Sequence, residues 1–368
     1  MLLIRGNRDA LLRPLQTVSG IVERRQTLPI LSNILLERNG AFLSFLATDL
    51  EIQISTREQC DIEGSDISFT VGARKLLDIL RTLPDNASVE LALAEGKLRI
   101  KAGSSKFILH TLPPEDLPRL PDGDSGGAKL RVAESLLKQL FALVQYAMAQ
   151  QDVRYYLNGL LLIAEESRLT AVATDGHRLA ISSVAAEGPK NRHELIVPRK
   201  AVIELTRLLG DSSAEIILDF GQTQIKATLG QTVMVSKLID GKFPDYTRVV
   251  PSDHQKRFAL PRLTLQQALQ RVAILASEKF RGVRWLLTEN SLKIICTNTD
   301  QEEAQEEIPT DYQGEALDIG FNVGYLLDVL NSVRSEQINC RLGNASSSAL
   351  FTVPDNDDFK YVVMPMRI

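Results

Sequence analysis

The sequence has little cysteine and no long apolar run at its start, and both absences limit what it can be. Cys60, Cys296 and Cys340 are odd in number and far apart, so they predict neither a disulfide framework nor a zinc site. They suit a reducing compartment, and we expect a cytoplasmic protein. Residues 1–16 carry several arginines and no continuous apolar stretch, so we expect neither a signal peptide nor a membrane span there.

An excess of positive charge is also missing. The chain has 42 Lys and Arg against 46 Asp and Glu, which gives a formal net charge of −4 and a pI near 5.8. A protein that holds nucleic acid by bulk electrostatics is normally basic, so any such contact must use a local basic surface. The sequence contains no P-loop motif, no His-Glu-x-x-His motif and no cysteine cluster, so we expect no nucleotide, metal or other cofactor.

What the sequence does contain is a repeat as long as a whole domain. Asp49, Asp175 and Asp300 each end a short polar segment after an aliphatic strand, at intervals of 126 and 125 residues. A shared interval of this length predicts three tandem copies of one domain. Two further sets keep the same spacing: Lys75, Lys200 and Tyr325, and Asn33, Asn158 and Val283.

The pattern within a copy predicts an α+β domain. Each copy opens with an amphipathic helix and has a second one in its middle, at 73–84, 198–210 and 322–333. Short alternating segments between the helices predict antiparallel strands with one wet face. Each domain should therefore carry two helices on one side of antiparallel sheets.

The expected domain boundaries follow from composition. Residues 114–129 and 249–257 are rich in Pro, Gly and Asp and predict exposed linkers. We expect domains at 1–126, 127–255 and 256–368.

Several long segments resemble one known family. They lie at 151–162, 173–180, 196–205, 236–251, 278–284, 320–331 and 361–368, in the order and spacing of the bacterial DNA polymerase III beta subunits, the replicative sliding clamps. The resemblance covers the whole chain, and the first copy matches less literally than the other two. It implies a head-to-tail homodimer closed into a six-domain ring around double-stranded DNA. It also implies a non-catalytic role: tethering polymerase subunits and repair proteins, with a clamp loader opening the ring.

The resemblance also implies a set of DNA-contact residues. Without it, the tyrosine pair would be interpreted as ordinary half-buried aromatics, and the Arg-Lys pairs that open the second helices as a solvated face. Aromatic rings can stack on exposed bases or donate to phosphate. The implied set is Arg25, Gln151, Tyr155, Tyr156 and Lys200.

The family further places a hydrophobic groove at the boundary of the second and third copies. It would bind short extended peptides in which Gln is followed by Leu and Phe. Met364 and Met366 suit a partner-tolerant surface because thioethers adapt to different shapes. The alternative is a C-terminal strand packed only on its own domain. The implied groove comprises Leu157, Thr174, Gly176, His177, Arg178, Leu179, Pro244, Arg248, Val249, Phe280, Asn322, Tyr325, Ser348, Val362, Val363, Met364, Pro365, Met366 and Arg367.

A dimer seam is implied between the first copy of one subunit and the third copy of the other. Unlike charges at the two ends suit a heterologous interface that closes at two subunits. The alternative for the acidic run is a solvated surface. The implied seam brings Lys75, Arg99, Lys106, Phe107 and Leu109 against Ile274, Leu275, Glu302, Glu303, Glu306 and Glu307.

Two other functions compete with this one. A hydrolase could use Asp175 and His177 as an acid–base pair. Asp49 and Asp300 have no histidine two residues later, however, so Asp175 with the following glycine is more simply a turn. The second alternative is a specialised copy of the clamp, accessory or linked to drug resistance.

Overall fold

The computed structural model describes residues 2–23, 28–59, 66–121, 127–277, 281–354 and 356–368. Two residues of the predicted sites, Arg25 and Phe280, lie outside the described residues, as do Cys60 and part of the first predicted linker.

Each of the three copies has the same order of elements: a strand, a helix, four strands, a second helix and three strands. The first copy contains β1 (Leu2–Asn7), α1 (Arg8–Val18), β2 (Asn33–Asn39), β3 (Phe42–Thr48), β4 (Ile52–Gln59), β5 (Ile67–Gly72), α2 (Ala73–Thr82), β6 (Ser88–Ala94), β7 (Lys97–Ala102) and β8 (Ser105–Leu112). The second contains β9 (Ala128–Ala133), α3 (Glu134–Val144), β10 (Gly159–Glu165), β11 (Arg168–Thr174), β12 (Arg178–Ala185), β13 (His193–Pro198), α4 (Arg199–Leu208), β14 (Glu215–Phe220), β15 (Gln224–Leu229) and β16 (Thr232–Lys237). The third contains β17 (Lys256–Pro261), α5 (Arg262–Val272), β18 (Gly282–Thr288), β19 (Ser291–Thr297), β20 (Glu303–Pro309), β21 (Leu317–Asn322), α6 (Val323–Ser332), β22 (Gln337–Leu342), β23 (Ala349–Val353) and β24 (Asn356–Val363).

The prediction that each copy opens with a helix is wrong, because a six-residue strand precedes it every time. β1, β9 and β17 pair antiparallel with β6, β14 and β22, the strands that follow the second helix. Such a strand is fixed by a partner about eighty residues further along the chain rather than by its own short pattern. The first residue of each opening helix then donates its N–H to a carbonyl just before that partner strand, as Arg8 does to Ala87 at 2.8 Å.

The helices form where the predicted apolar periodicity lies. α2 buries Ala73, Leu76, Leu77 and Leu80 on one face and leaves its charged residues exposed. α6 begins after Asn322, whose side chain accepts the backbone N–H of Gly324 at 2.9 Å and so caps the helix.

The described chain divides into two compact units, and each holds its own sheets. The first unit comprises Met1–Glu134 and Ile203–Leu238, and the second comprises Ser135–Val202 and Ile239–Ile368. The first unit holds a twelve-stranded sheet in the order β1-β6-β7-β8-β5-β2-β3-β4-β16-β15-β14-β9. The second holds an eight-stranded sheet, β13-β10-β11-β12-β24-β23-β22-β17, and a four-stranded one, β20-β19-β18-β21.

Successive copies join through their sheets in one repeated way. Within the first unit, β4 of the first copy pairs antiparallel with β16 of the second. Within the second unit, β12 of the second copy pairs antiparallel with β24 of the third. The fourth strand of each of these copies therefore meets the last strand of the copy that follows it.

The first predicted linker is not wholly exposed. Leu117, inside the Pro-rich segment, is buried and packs against Leu35 and Leu46. The segment therefore contributes an apolar anchor to the first copy, which its turn-rich composition does not predict.

Candidate functional site

An apolar pocket of about 300 Å³ lies in the second unit, where β12 meets β24. Its floor is continuous with the core, because Leu157, Leu179 and Val362 belong to the buried cluster beneath it. Its rim is unusually exposed for apolar side chains: Val249 and Met364 are each 47 % exposed. The full lining is Arg154, Tyr156, Leu157, Thr174, Gly176, His177, Arg178, Leu179, Pro244, Tyr246, Val249, Ser348, Val362 and Met364.

A tight turn between β11 and β12 forms one wall of the pocket. Asp175 accepts the backbone N–H groups of His177 and Arg178 at 2.9 and 3.0 Å, while the Thr174 hydroxyl accepts that of Gly176 at 3.0 Å. Gly176 has φ +87°, the left-handed region that glycine adopts without steric cost.

The same turn occurs at the other repeated aspartates, with one change. In the first copy Asp49 accepts from Glu51 and Ile52, and the residue after it, Leu50, has φ +77°. In the third copy Asn298 does the accepting, two residues before Asp300, while Gln301 has φ +63°. The repeated Asp that defines the copies therefore marks a turn, and in the third copy a neighbouring amide takes over its hydrogen bonds.

The Asp175 carboxylate is already occupied in this arrangement. One oxygen accepts two backbone N–H groups, and the other accepts from Arg178 Nε at 3.1 Å. A carboxylate so engaged holds a backbone turn, and it makes no hydrogen bond to the imidazole of His177. The acid–base alternative therefore lacks its central hydrogen bond.

The Arg154 side chain packs against Gly176, the glycine of the turn. Its guanidinium donates to the Asp175 carbonyl at 3.1 Å, and a Cβ on Gly176 would lie 2.8 Å from it. Asp152 holds Arg154 through bonds of 3.0 and 2.8 Å, and these contacts lower the pKa of the Asp152 carboxyl to about 2. Arg154 and Tyr246 line the pocket although neither was predicted. Arg154 lies between the predicted residues Gln151 and Tyr155 in the sequence. The sequence therefore placed it near the site, but it did not indicate that the side chain points into the pocket.

Arg178 is the most buried charge at the site, with a side chain only 10 % exposed. Burial lowers the pKa of its guanidinium, but Tyr361, Asp328 and Asp175 together raise the pKa by more, and the net shift is upward. The group is therefore a permanent cation fixed in the wall of the pocket.

Eleven of the nineteen predicted groove residues line this pocket. Asn322 caps α6, and Tyr325 lies beneath the Arg178 guanidinium, 4.4 Å from its ring centroid. Arg248 is exposed and pairs with Asp245 at 2.8 Å. Val363 is fully buried, whereas Pro365, Met366 and Arg367 lie in the tail beyond β24.

Four of the predicted DNA-contact residues can be placed. Gln151 is exposed with φ +53°, and Tyr155 is exposed and meets Tyr156 edge-on at 5.8 Å between ring centroids. Tyr156 also lines the apolar pocket, and Lys200 is half-buried in the first turn of α4. The segment that bears three of these residues thus adjoins the pocket.

The predicted seam residues lie on α2, β7 and β8 of the first copy and near α5 and β20 of the third. Lys75, Arg99 and Lys106 are exposed, and Phe107 and Leu109 are half-buried on β8. Ile274, in the short turn after α5, is 79 % exposed. On the acidic side, Glu303, Glu306 and Glu307 lie on β20 and Glu302 just before it. Glu306 is already held by Arg271 through bonds of 2.6 and 2.8 Å.

Among the described residues there is no group of three or more His, Cys, Asp or Glu side chains that could hold a metal ion. Within the same residues no helix is long and apolar enough to cross a membrane.

Comparisons with known proteins identify the family. Family profiles of the DNA polymerase III beta subunit match in three consecutive parts: the N-terminal domain at 2–121, the central domain at 131–245 and the C-terminal domain at 247–367. The chain belongs to the DNA polymerase III beta subunit family.

Individual relatives agree with the assignment. The beta sliding clamp of Pseudomonas putida is 49 % identical over 362 residues, covering 98 % of both chains. That of Escherichia coli is 43 % identical over 361 residues, with the same coverage. A solved Pseudomonas aeruginosa sliding clamp bound to griselimycin has a TM-score of 0.95 and 48 % identity, covering 100 % of both chains.

The resemblance and the predicted fold are thereby confirmed. The beta subunit is a DNA sliding clamp, a non-catalytic subunit that works as a dimeric ring, with three clamp domains of helices and antiparallel sheets in each chain. The specialised-copy alternative is not favoured. The domain boundaries at 126 and 255 and the individual site residues stay predictions.

Proposed function

We propose that the apolar pocket beneath Met364 binds short extended peptides of DNA polymerase subunits and of the clamp loader. The observation that carries this proposal is an open pocket whose floor is core and whose rim is exposed apolar side chain. Leucine and phenylalanine side chains inserted there would remove Val249 and Met364 from water without unfolding anything. The polar rim of Arg154, His177 and Ser348 would orient the peptide backbone.

A calorimetric titration tests the proposal. A peptide with Gln followed by Leu and Phe should bind with roughly micromolar affinity, about −8 kcal/mol, which allows partners to exchange. Deleting residues 364–368 removes one rim residue and the tail, and should abolish binding while the protein still dimerises. Equal binding by the deletion variant would show that the peptide lies elsewhere.

The ring closure follows from the repeated pairing between copies. The fourth strand of one copy pairs with the last strand of the next: β4 with β16, and β12 with β24. The two strands left over in this scheme are β20, the fourth strand of the third copy, and β8, the last strand of the first. Among the described residues, β20 pairs only with β19, and residues 105–110 of β8 pair only with β7. We propose that β20 of one subunit pairs antiparallel with β8 of the other. This pairing would bring Lys106 beside the acidic strand, and we expect Phe107 and Leu109 to meet Ile274 and Leu275 in the seam.

The DNA role is proposed for the segment around Tyr155 and for the start of α4. An encircling ring is retained by topology, so a few cationic and aromatic contacts suffice, in agreement with the net charge of −4. Gln151, Tyr155, Tyr156 and Lys200 supply such contacts, with Arg25 as the fifth expected member. We propose a cytoplasmic location, where the chromosome of a bacterium is replicated.

A further inference from the structure

All three guanidinium nitrogens of Arg178 donate hydrogen bonds inside the protein. Its Nε donates to Asp175 at 3.1 Å, its Nη1 to Asp328 at 2.5 Å and its Nη2 to the Tyr146 carbonyl at 2.5 Å. Its plane also lies over the ring of Tyr325. Three of the five N–H donors of the guanidinium are thus engaged inside the protein, so Arg178 contributes chiefly the shape of the wall.

The first copy shows that the domain does not need an arginine here. The residue three positions after the repeated aspartate is Ile52 in the first copy and Arg178 in the second. Ile52 is buried and apolar, which is the cheaper way to fill such a position. A buried ion pair contributes little net stability compared with a packed apolar residue, but it fixes geometry. A geometric role for Arg178 is therefore the better explanation.

Asp328 supplies the partner charge from a distant part of the chain. It lies on α6, and the equivalent residue of α2 is Asp78, 250 positions earlier. Among the residues that the structure describes, Asp78 makes only an exposed pair with Arg74 at 3.9 Å. The same acidic position is thus a surface residue in one copy and the anchor of a buried cation in another.

Asp328 itself does not line the apolar pocket. It lines a separate polar cleft of about 530 Å³, in which Arg178, His177 and Tyr325 also take part. Arg178 and His177 line both cavities, so they form the partition between them. An effect of Asp328 on a peptide in the pocket must therefore pass through this partition.

The partition also holds one of the rim residues of the pocket. Met364 donates its backbone N–H to the His177 carbonyl at 2.9 Å, and Val363 is the β-pairing partner of Arg178. A shift of Arg178 would therefore move both the turn and the strand end that carries Met364.

We propose that Asp328 is a positioning residue of the peptide pocket, acting through Arg178 to hold the His177–Met364 hydrogen bond in place. The inference rests on the proposed peptide-binding function. It assigns a role to a residue of α6 that does not line the pocket.

Calorimetry with the peptide described above tests the proposal on the full-length dimer. Asp328→Asn removes the charge and keeps the size, and should weaken binding about tenfold, a change of ~1.4 kcal/mol. Asp328→Glu keeps the charge and should retain most of the affinity. Asp78→Asn, the matched change at the same repeat position, should bind like the wild type. Equal affinity of Asp328→Asn and wild type would overturn the proposal.

A second readout separates positioning from general stability. Hydrogen exchange at the Met364 amide should accelerate in Asp328→Asn, while amides of β14 and β15 in the other unit keep their wild-type rates. Unchanged exchange at Met364 would overturn the proposal. If Asp328→Asn fails to fold, Asp328→Ser is measured in the same two ways with the same criteria. A wild-type protein that does not bind the peptide would overturn the proposed function, and this inference with it.

Discussion

Met366 donates its backbone N–H to the carbonyl of Gly320 at 2.9 Å, and so ties the C-terminal tail to β21. The tail passes over a glycine on each of two strands, Gly320 on β21 and Gly282 on β18. A Cβ on Gly320 would lie 2.5 Å from the Met366 carbonyl and 2.7 Å from the Ile368 side chain, and one on Gly282 would lie 3.3 Å from Ile368. The last residues thus pack directly against two glycines, and this close packing sets the path of the tail that begins at Met364.

Gly320→Ala should therefore weaken peptide binding without a change in the pocket itself. The new methyl group cannot coexist with the tail in its present path, so we expect about a tenfold loss of affinity, ~1.4 kcal/mol. Gly72→Ala is the control, because the nearest atom to its Cβ would be 3.9 Å away. Titration calorimetry on both variants decides the matter. Wild-type affinity in Gly320→Ala would mean that the path of the tail does not govern the pocket.

The repeat explains how much of the fold could be predicted from the sequence. Because α2, α4 and α6 recur at one interval, each copy independently predicts the presence and approximate ends of its second helix. The opening strands were missed because each is short and is stabilised by pairing with a strand far along the chain, as β1 is by β6. The turn at Asp175 was predictable from its glycine, whereas the use of Asn298 in the third copy was not.

The site was predictable only through the family resemblance. The family resemblance supplied eleven residues of the pocket lining, and Arg154 was missed although it lies next to a predicted residue. Asp328 could not be inferred from local pattern, because it meets Arg178 across 150 positions of sequence. One signal was nevertheless available. Alignment of the copies puts Arg178 opposite the apolar Ile52, and a charge at a core position demands a partner.

Removing two cations should weaken DNA binding without opening the ring. Arg25→Ala combined with Lys200→Ala should lower DNA affinity at low salt, because cations that neutralise phosphates release counterions. The slope of log affinity against log salt should fall by about one for each phosphate that is no longer neutralised. Lys360→Ala, an exposed lysine on β24, serves as the control. The measurement is DNA binding over a salt series, with the dimer mass checked alongside. An unchanged slope would make both residues solvated surface.

High pH should destabilise the second unit through its buried thiol. Burial raises the pKa of Cys340 far above its ordinary value. A raised folded pKa contributes stability that is present below the unfolded pKa of about 8.5 and lost as pH rises towards the folded one. Between the unfolded and the folded pKa, the slope contributed by one such group is about 1.4 kcal/mol per pH unit.

Cys340→Ala removes this contribution. Its unfolding free energy should therefore fall less steeply between about pH 9 and pH 11 than that of the wild type. The cavity left by the smaller side chain adds a constant loss that does not depend on pH. Urea unfolding at a series of pH values separates the two effects. Parallel curves for the two proteins would show that the thiol does not control alkaline stability.

The seam offers a test in which dimerisation and folding separate cleanly. Ile274 is 79 % exposed in the single chain, and Leu275 beside it is half-buried. An exposed side chain contributes little to the fold of its own subunit, so Ile274→Ala with Leu275→Ala should change the melting temperature of the subunit only slightly. Leu263→Ala is a control on the same third copy, because its side chain is 56 % exposed and lies outside the predicted seam.

The same two side chains should be essential to the dimer. Truncating apolar anchors at the centre of an interface costs about 2 kcal/mol or more. A closed dimeric ring contains the seam twice, so the loss counts twice, and the dissociation constant should rise by about three orders of magnitude. Light scattering at low micromolar concentration should then show a folded monomer for the double variant and a dimer for the control. A full dimer in the double variant would exclude Ile274 and Leu275 from the seam and would require β20 and β8 to meet without an apolar centre.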